Sequence, residues 1–287
     1  MIDRFPFRED EAIYSYWALH GWHQDPFFLS IWPDKPPLFL WLLGATYTLF
    51  GIEPASARWI NIAASTLTIP VVAVTARRLW GEPSALIAAL VMALSPFAIS
   101  FSPTAFVDPV LVLAGSLALC MAVFARPLAA GLWLGVAMMT KQQGLLYLPL
   151  IIALLTSNRF AGRASDERDE QVNPTDHAAR VAYRAARFLC GLALVVLPVV
   201  FWDSRRWASA PSPWDLSIRN YARLMVTPPQ EWPQRLLDWW PILWHLTASS
   251  ATWMVLALSL LSATLMVGYR RRMQGATDRR SIGPAVI

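Results

Sequence analysis

Six charged residues in the first half of the chain have the types and placement to do chemistry. Asp10 and Glu11 stand together ahead of a short run, 12–21, that reads as a helix. Carboxylates at a helix N-terminus are favoured by the macrodipole, so this pair marks a helix start at least, and with cations nearby it becomes a candidate base. Asp108 lies between two apolar runs and is followed by Pro109, which suits the N-terminus of the next helix. A carboxylate held at a membrane edge is costly and is a functional candidate by default. The chain has only two lysines: Lys35 sits in Pro33-Asp34-Lys35-Pro36-Pro37, and Lys141 interrupts an apolar stretch at Thr140-Lys141-Gln142-Gln143-Gly144. Arg58 opens an apolar run on the side where arginine is disfavoured. It can serve as a headgroup anchor or, with the lysines, as a clamp for a phosphate or pyrophosphate.

The elements that must position these groups are membrane helices. Of 287 residues, 56% are hydrophobic and 15% are charged, against roughly 45–50% and about 25% in soluble domains. Mean hydropathy is +0.41. Runs at 59–76, 84–107 and 242–269 are long enough to cross a hydrocarbon layer ~30 Å thick, and those at 109–125, 142–158 and 185–202 are shorter candidates. The net charge of +5 does not point to nucleic acid, because the arginines close apolar runs. Arg77, Arg78 and Arg126 do so, six more lie between 159 and 187, and Arg270, Arg271 and Arg272 follow the last run. This is the positive-inside pattern, and many of the 15 tryptophans cluster at run ends as an interfacial belt would. Cys120 and Cys190 both fall in apolar runs and offer no disulfide framework.

Placing the arginines in the cytoplasm gives an all-α, polytopic transmembrane bundle of about seven spans. Residues 1–54 form an extracytoplasmic first loop with interfacial helices, 55–158 the core spans, 159–187 a charged cytoplasmic loop, 188–269 later spans and an outer loop, and 270–287 a basic cytoplasmic tail. The run 36–50 is too short to span and is expected at the outer interface. The stretch 127–158 must begin and end inside, so it is read as a hairpin with Lys141 at its tip. The first arm reaches only ~20 Å at 1.5 Å per residue, placing that tip at the floor of an outer cavity. Parity then puts Asp10 and Asp108 on the same face. His20 and His23 are spaced like a metal pair, but the sequence fixes no third ligand, and no metal site is assigned.

In order and spacing, DEAIYSYWALHG, DKPPLFLWLLG, FGIEPASARW, FVDPVLVL and GVAMMTKQQGLL resemble the dolichyl-phosphate-mannose protein mannosyltransferase family. The same pattern is similar to the lipid A aminoarabinose transferases and the RgtA/B/C/D-like sugar transferases, all of the GT-C superfamily. NYARLMVTPPQEW also looks like an outer loop of the bacterial branch. The resemblance implies a multi-pass cell-membrane glycosyltransferase, facing outside the cytoplasm, that takes a sugar from a polyprenyl-phosphate donor without a nucleotide or other cofactor. It places the catalytic carboxylate on Asp10 with Glu11 beside it, and the second-loop acid on Asp108. Lys35, Arg58 and Lys141 become the donor-phosphate cations, and a single base with in-line attack implies inversion. The competing readings are a transporter or lipid flippase, against which stand the rim position of the charges and the lack of an internal repeat, and an inactive fragment of such a transferase. The family places a span before the acidic pair, whereas this sequence starts at the loop that follows it.

Overall fold

A computed structural model describes residues 6–156, 174–221 and 229–247. It is helical throughout, with no strand among the described residues. The first helix, α1 (Glu9–His23), carries Glu9, Asp10 and Glu11 in its first turn and His20 and His23 in its last, the charge order that suits its dipole. Prolines 36 and 37 then hold the chain out of helix until α2 (Leu38–Phe50) begins, and α2 ends at Gly51, where φ is 90°. Its 13 residues span ~20 Å, short of a bilayer crossing, as expected for an interfacial element. It lies on α1: the Tyr47 hydroxyl donates to Ser15 Oγ at 2.7 Å, and Gly44 leaves room for the Trp22 ring.

The apolar helical bundle is built from α3 (Pro54–Trp80), α4 (Glu82–Ala93), α5 (Pro96–Phe101), α6 (Asp108–Val123), α7 (Pro127–Thr140), α8 (Leu148–Thr156) and α9 (Pro174–Ser204). Beyond these lie α10 (Pro213–Tyr221) and α11 (Trp232–Thr247). Two segments among the described residues, Pro54–Trp80 and Ala179–Ser204, are individually long and apolar enough to cross a membrane, and the other apolar helices are shorter. Large apolar side chains face outward along them, with Leu86 74% and Leu197 62% exposed, as a lipid-facing surface requires. One expected span is corrected. Residues 84–107 do not form a continuous helix: Ser95 accepts the amide of Ala98 and Pro96 offers no N–H, so α4 stops and α5 starts there. The outer loop expected from residue 203 is also partly helical, as α10 and the start of α11. The last expected span beyond residue 247, the basic tail, residues 157–173 of the cytoplasmic loop and residues 222–228 lie outside the described residues.

The bundle has two chemically different ends. At one, Arg77 pairs with Glu82, and the Arg78 guanidinium sits 5.8 Å from the centre of the Phe124 ring. At the other, Asn61 of α3 reaches the loop just before α6. Helices α3 and α6 therefore run side by side in the same direction, and α7 returns from the arginine end. The return helix packs backbone to backbone on α9: a Cβ on Gly131 would overlap the Phe188 carbonyl, and one on Gly191 would overlap that of Leu128. Gly131 and Gly135 form the small-xxx-small face that lets two membrane helices approach this closely. The break after Thr140 is as sharp as the sequence suggested. Lys141 is extended, Gln142–Tyr147 forms a 3-10 turn, and Gly144 folds so tightly onto α7 that a side chain there would strike the backbone of Ala137 and Met138.

Candidate active site

The charged residues gather at the end of the bundle opposite the arginine clusters, in two neighbouring sets. The first is sealed. Glu11 turns inward from the first turn of α1 and takes the Arg58 guanidinium as a fork, Nε to Oε1 at 3.1 Å and Nη2 to Oε2 at 3.3 Å. Two amides complete its shell: Ala105 N–H donates to Oε1 and Arg8 N–H to Oε2, both at 2.9 Å. Arg58 also donates to the Pro6 carbonyl, and Phe7 lies against its face. The side chains of Arg58 and Glu11 are 4% and 2% exposed. Burial pushes the Glu11 carboxyl up, but the Arg58 hydrogen bonds, the two amides and the Arg58 charge together hold it below its usual range. One turn along α3, the fully buried Asn61 donates to both the Thr104 and Phe106 carbonyls at 2.6 Å. Glu11, Arg58 and Asn61 together fasten the loop that delivers Asp108.

The second set is open. Lys141 Nζ lies 2.7 Å from Asp108 Oδ1, with the two side chains 18% and 36% exposed. Directly beside it, Gln142 Nε2 donates to the Asp34 carbonyl at 2.9 Å, which brings the Lys35 loop to the hairpin tip. Lys35 is buried and pairs with Asp34 at 3.0 Å. Lys35, Lys141 and Asp108 thus share one neighbourhood, while Arg58 sits under Glu11 in the adjoining one. Asp10 is exposed on the first turn of α1, and none of the hydrogen bonds and ion pairs of the described residues joins it to Lys35, Arg58 or Lys141. His20 is bound to Ser30, whose hydroxyl donates to Asp25 at 2.8 Å. Among the described residues no three His, Cys, Asp or Glu side chains gather as a metal shell.

Sequence reasoning missed three residues that shape this end. Asn61 had no signal beyond being polar in an apolar span. Arg206, fully buried at the end of α9, donates to the Phe28 carbonyl at 2.7 Å and stacks on Trp202, whose own indole N–H donates to the Pro26 carbonyl. Burial lowers the Arg206 pKa, and the charges of Asp203 and Asp25 offset this in part. The segment between α1 and α2 is thereby tied to the C-terminal end of α9.

The sequence profile of the dolichyl-phosphate-mannose-protein mannosyltransferase family matches residues 34–165. That interval contains Lys35, Arg58, Asp108 and Lys141, and the helices that carry them. Among solved structures the chain resembles ArnT from Cupriavidus metallidurans in the apo state, at 19% identity and a TM-score of 0.58. The likeness covers 74% of this chain and 40% of ArnT. The matched part of the chain shares the fold of ArnT. The family profile contains four of the five sequence motifs, DKPPLFLWLLG, FGIEPASARW, FVDPVLVL and GVAMMTKQQGLL, so the resemblance holds there, and DEAIYSYWALHG precedes the matched interval. The part of ArnT that this chain matches is less than half of ArnT's length. No curated protein sequence matches it.

Proposed function

We propose that this chain belongs to a membrane glycosyltransferase that moves a sugar from a polyprenyl-phosphate donor to an acceptor on the extracytoplasmic face of the cell membrane. The observation that carries the reading is the open Asp108–Lys141 pair beside the Lys35 loop, at the end of the bundle opposite Arg77, Arg78 and Arg126, in a chain that resembles ArnT. A lipid phosphate leaves as an anion and needs cations rather than an acid. An ammonium has three donors, and Lys141 spends one on Asp108, so it can take a phosphate oxygen while keeping its partner. Lys35 supplies the second cation when the donor approaches the same loop. Arg58 acts with Glu11, fixing the start of α1 and the loop before Asp108.

Asp10 is the base in this reading. The knot holds its neighbour Glu11, so the backbone of the first turn is fixed while the Asp10 carboxylate stays open to an acceptor hydroxyl. Removal of that proton during attack at the anomeric carbon, with polyprenyl phosphate departing from the opposite side, inverts the sugar. The donor carries its own leaving group, so the scheme uses no nucleotide and no separate cofactor.

The test is transfer by the purified protein in vesicles containing radiolabelled polyprenyl-phosphate sugars. Asp10→Asn lowers turnover ~10²–10⁴-fold while donor binding survives. Lys141→Gln weakens donor binding as well. An Asp10→Asn protein with full turnover removes Asp10 from the role, and donor-independent behaviour of every variant removes the proposal.

A further inference from the structure

The helices α8 and α9 leave a cleft of about 360 Å³ between them at the arginine-rich end of the bundle, within the ~300–1,000 Å³ range of small-ligand sites. Its walls are hydrocarbon, with Ile152 and Leu155 on one side and Phe188 and Leu192 on the other. Along α8 it extends from Leu148 to Thr156, nine residues that cover ~12 Å of helix. Two polar residues line it, Thr156 at the end of α8 and Arg184 on α9, and Arg184 is the single charge. Arg184 is half-buried, and no hydrogen bond or ion pair among the described residues engages it. Arg187, three residues on, is exposed and rests on the Tyr183 ring at 5.6 Å.

We propose that this cleft binds a phospholipid with an anionic headgroup, one acyl chain lying between α8 and α9 and the phosphate on Arg184. Charge complementarity selects that occupant. A lone guanidinium at the rim of an apolar slot forks onto a phosphate, and Arg187 adds positive potential from the next turn. Basic pockets between membrane helices are suited to anionic headgroups, and each nearby cation adds attraction to an anionic surface. The site lies at the opposite end of the bundle from Asp108 and Lys141, so it does not depend on the proposed transfer reaction.

The experiment is native mass spectrometry of the full chain in detergent, titrated with phosphatidylglycerol or phosphatidylcholine of the same acyl chains. Wild type retains phosphatidylglycerol in preference to phosphatidylcholine, and Arg184→Gln reduces that preference about tenfold. Arg184→Lys keeps part of it, because charge remains and the fork is lost. Ala185→Trp, which fills the slot, lowers retention of both lipids. Lipid-free thermal unfolding of each variant, unchanged from wild type, separates these effects from misfolding. Equal retention of the two lipids by wild type, preference untouched by Arg184→Gln, or stronger retention of polyprenyl phosphate than of phosphatidylglycerol at this site each overturns the proposal. A segment of the chain itself occupying the cleft would also overturn it, and would show as no lipid retained at all.

Discussion

Two carboxylate–cation pairs meet the same short loop at opposite ends of it, and they are built differently. Glu11–Arg58 grips Ala105 and is sealed: both side chains are almost inaccessible, and Glu11 accepts from two amides besides the guanidinium fork. Asp108–Lys141, three residues further on, is a single contact open to solvent. In the sealed pair every strong acceptor site of the carboxylate is occupied, so nothing remains to bind or deprotonate a substrate. The open pair has unspent donors on the lysine and an uncovered carboxylate oxygen. Under the proposed reaction, rigidity and reactivity are thus divided between the two ends of residues 105–108. The difference also separates Asp10 from Glu11: of two adjacent acids, one is consumed by structure and the other is left outside.

Loss of the sealed pair should cost the most. Glu11→Ala leaves Arg58 buried without its partner, which costs about 3–5 kcal/mol of stability, and the protein should unfold at markedly lower denaturant in detergent. A loss within about 1 kcal/mol would show that the pair is wetter than its geometry states. Next comes Asn61→Leu, which keeps the volume and removes both donors from the Thr104 and Phe106 carbonyls. Its cost is about 1–3 kcal/mol per abandoned carbonyl, less what water recovers. Hydrogen exchange should rise at the amides of 104–107 before it rises elsewhere in the outer end.

Acid titration sharpens the same contrast. The folded-state pKa of Glu11 is depressed below its ordinary 4.5. Its contribution to stability is therefore fully present above about pH 4.5 and is lost as pH falls through the depressed folded value. The stability gap between wild type and Glu11→Gln should stay constant from pH 7 down to about 4.5 and close below it. A gap that closed between pH 7 and 5 would assign the titration to another group.

Much of this arrangement was legible in the sequence, and what was not has a physical reason. Local signals sufficed for α2, whose length and prolines exclude a crossing, for the acidic start of α1, and for the break at Lys141, where polar residues and Gly144 interrupt an apolar run. Side-chain partners were not legible. Glu11 finds Arg58 at a separation of 47 residues and Ala105 at 94, distances that only the packed bundle closes. For that reason the sequence grouped Arg58 with the two lysines, and it could not tell which member of Asp10-Glu11 turns inward. Two signals were present and unread. Ser95-Pro96 carries both the cap and the missing N–H that split α4 from α5, and Gly131 with Gly135 marks the face on which α9 packs.

The smallest expected change in stability falls on the open pair, and it is the most discriminating. Asp108→Asn keeps the shape of the side chain and its place at the start of α6, and removes the charge facing Lys141. With Asp108 36% and Lys141 18% exposed, solvent screens the pair, and its loss should cost no more than about 1 kcal/mol. The unfolding midpoint should barely move. Transfer should respond far more strongly, because in the proposed reaction Asp108 orients the ammonium that meets the phosphate, and Asn would hold it less firmly. The rate should fall ~10-fold or more with the fold intact, an effect that at 1.4 kcal/mol per decade exceeds the stability change. Equal losses of stability and of transfer would make Asp108 a second structural anchor like Glu11. In that event the division of labour along residues 105–108 fails, and the reactive role has to move away from this loop.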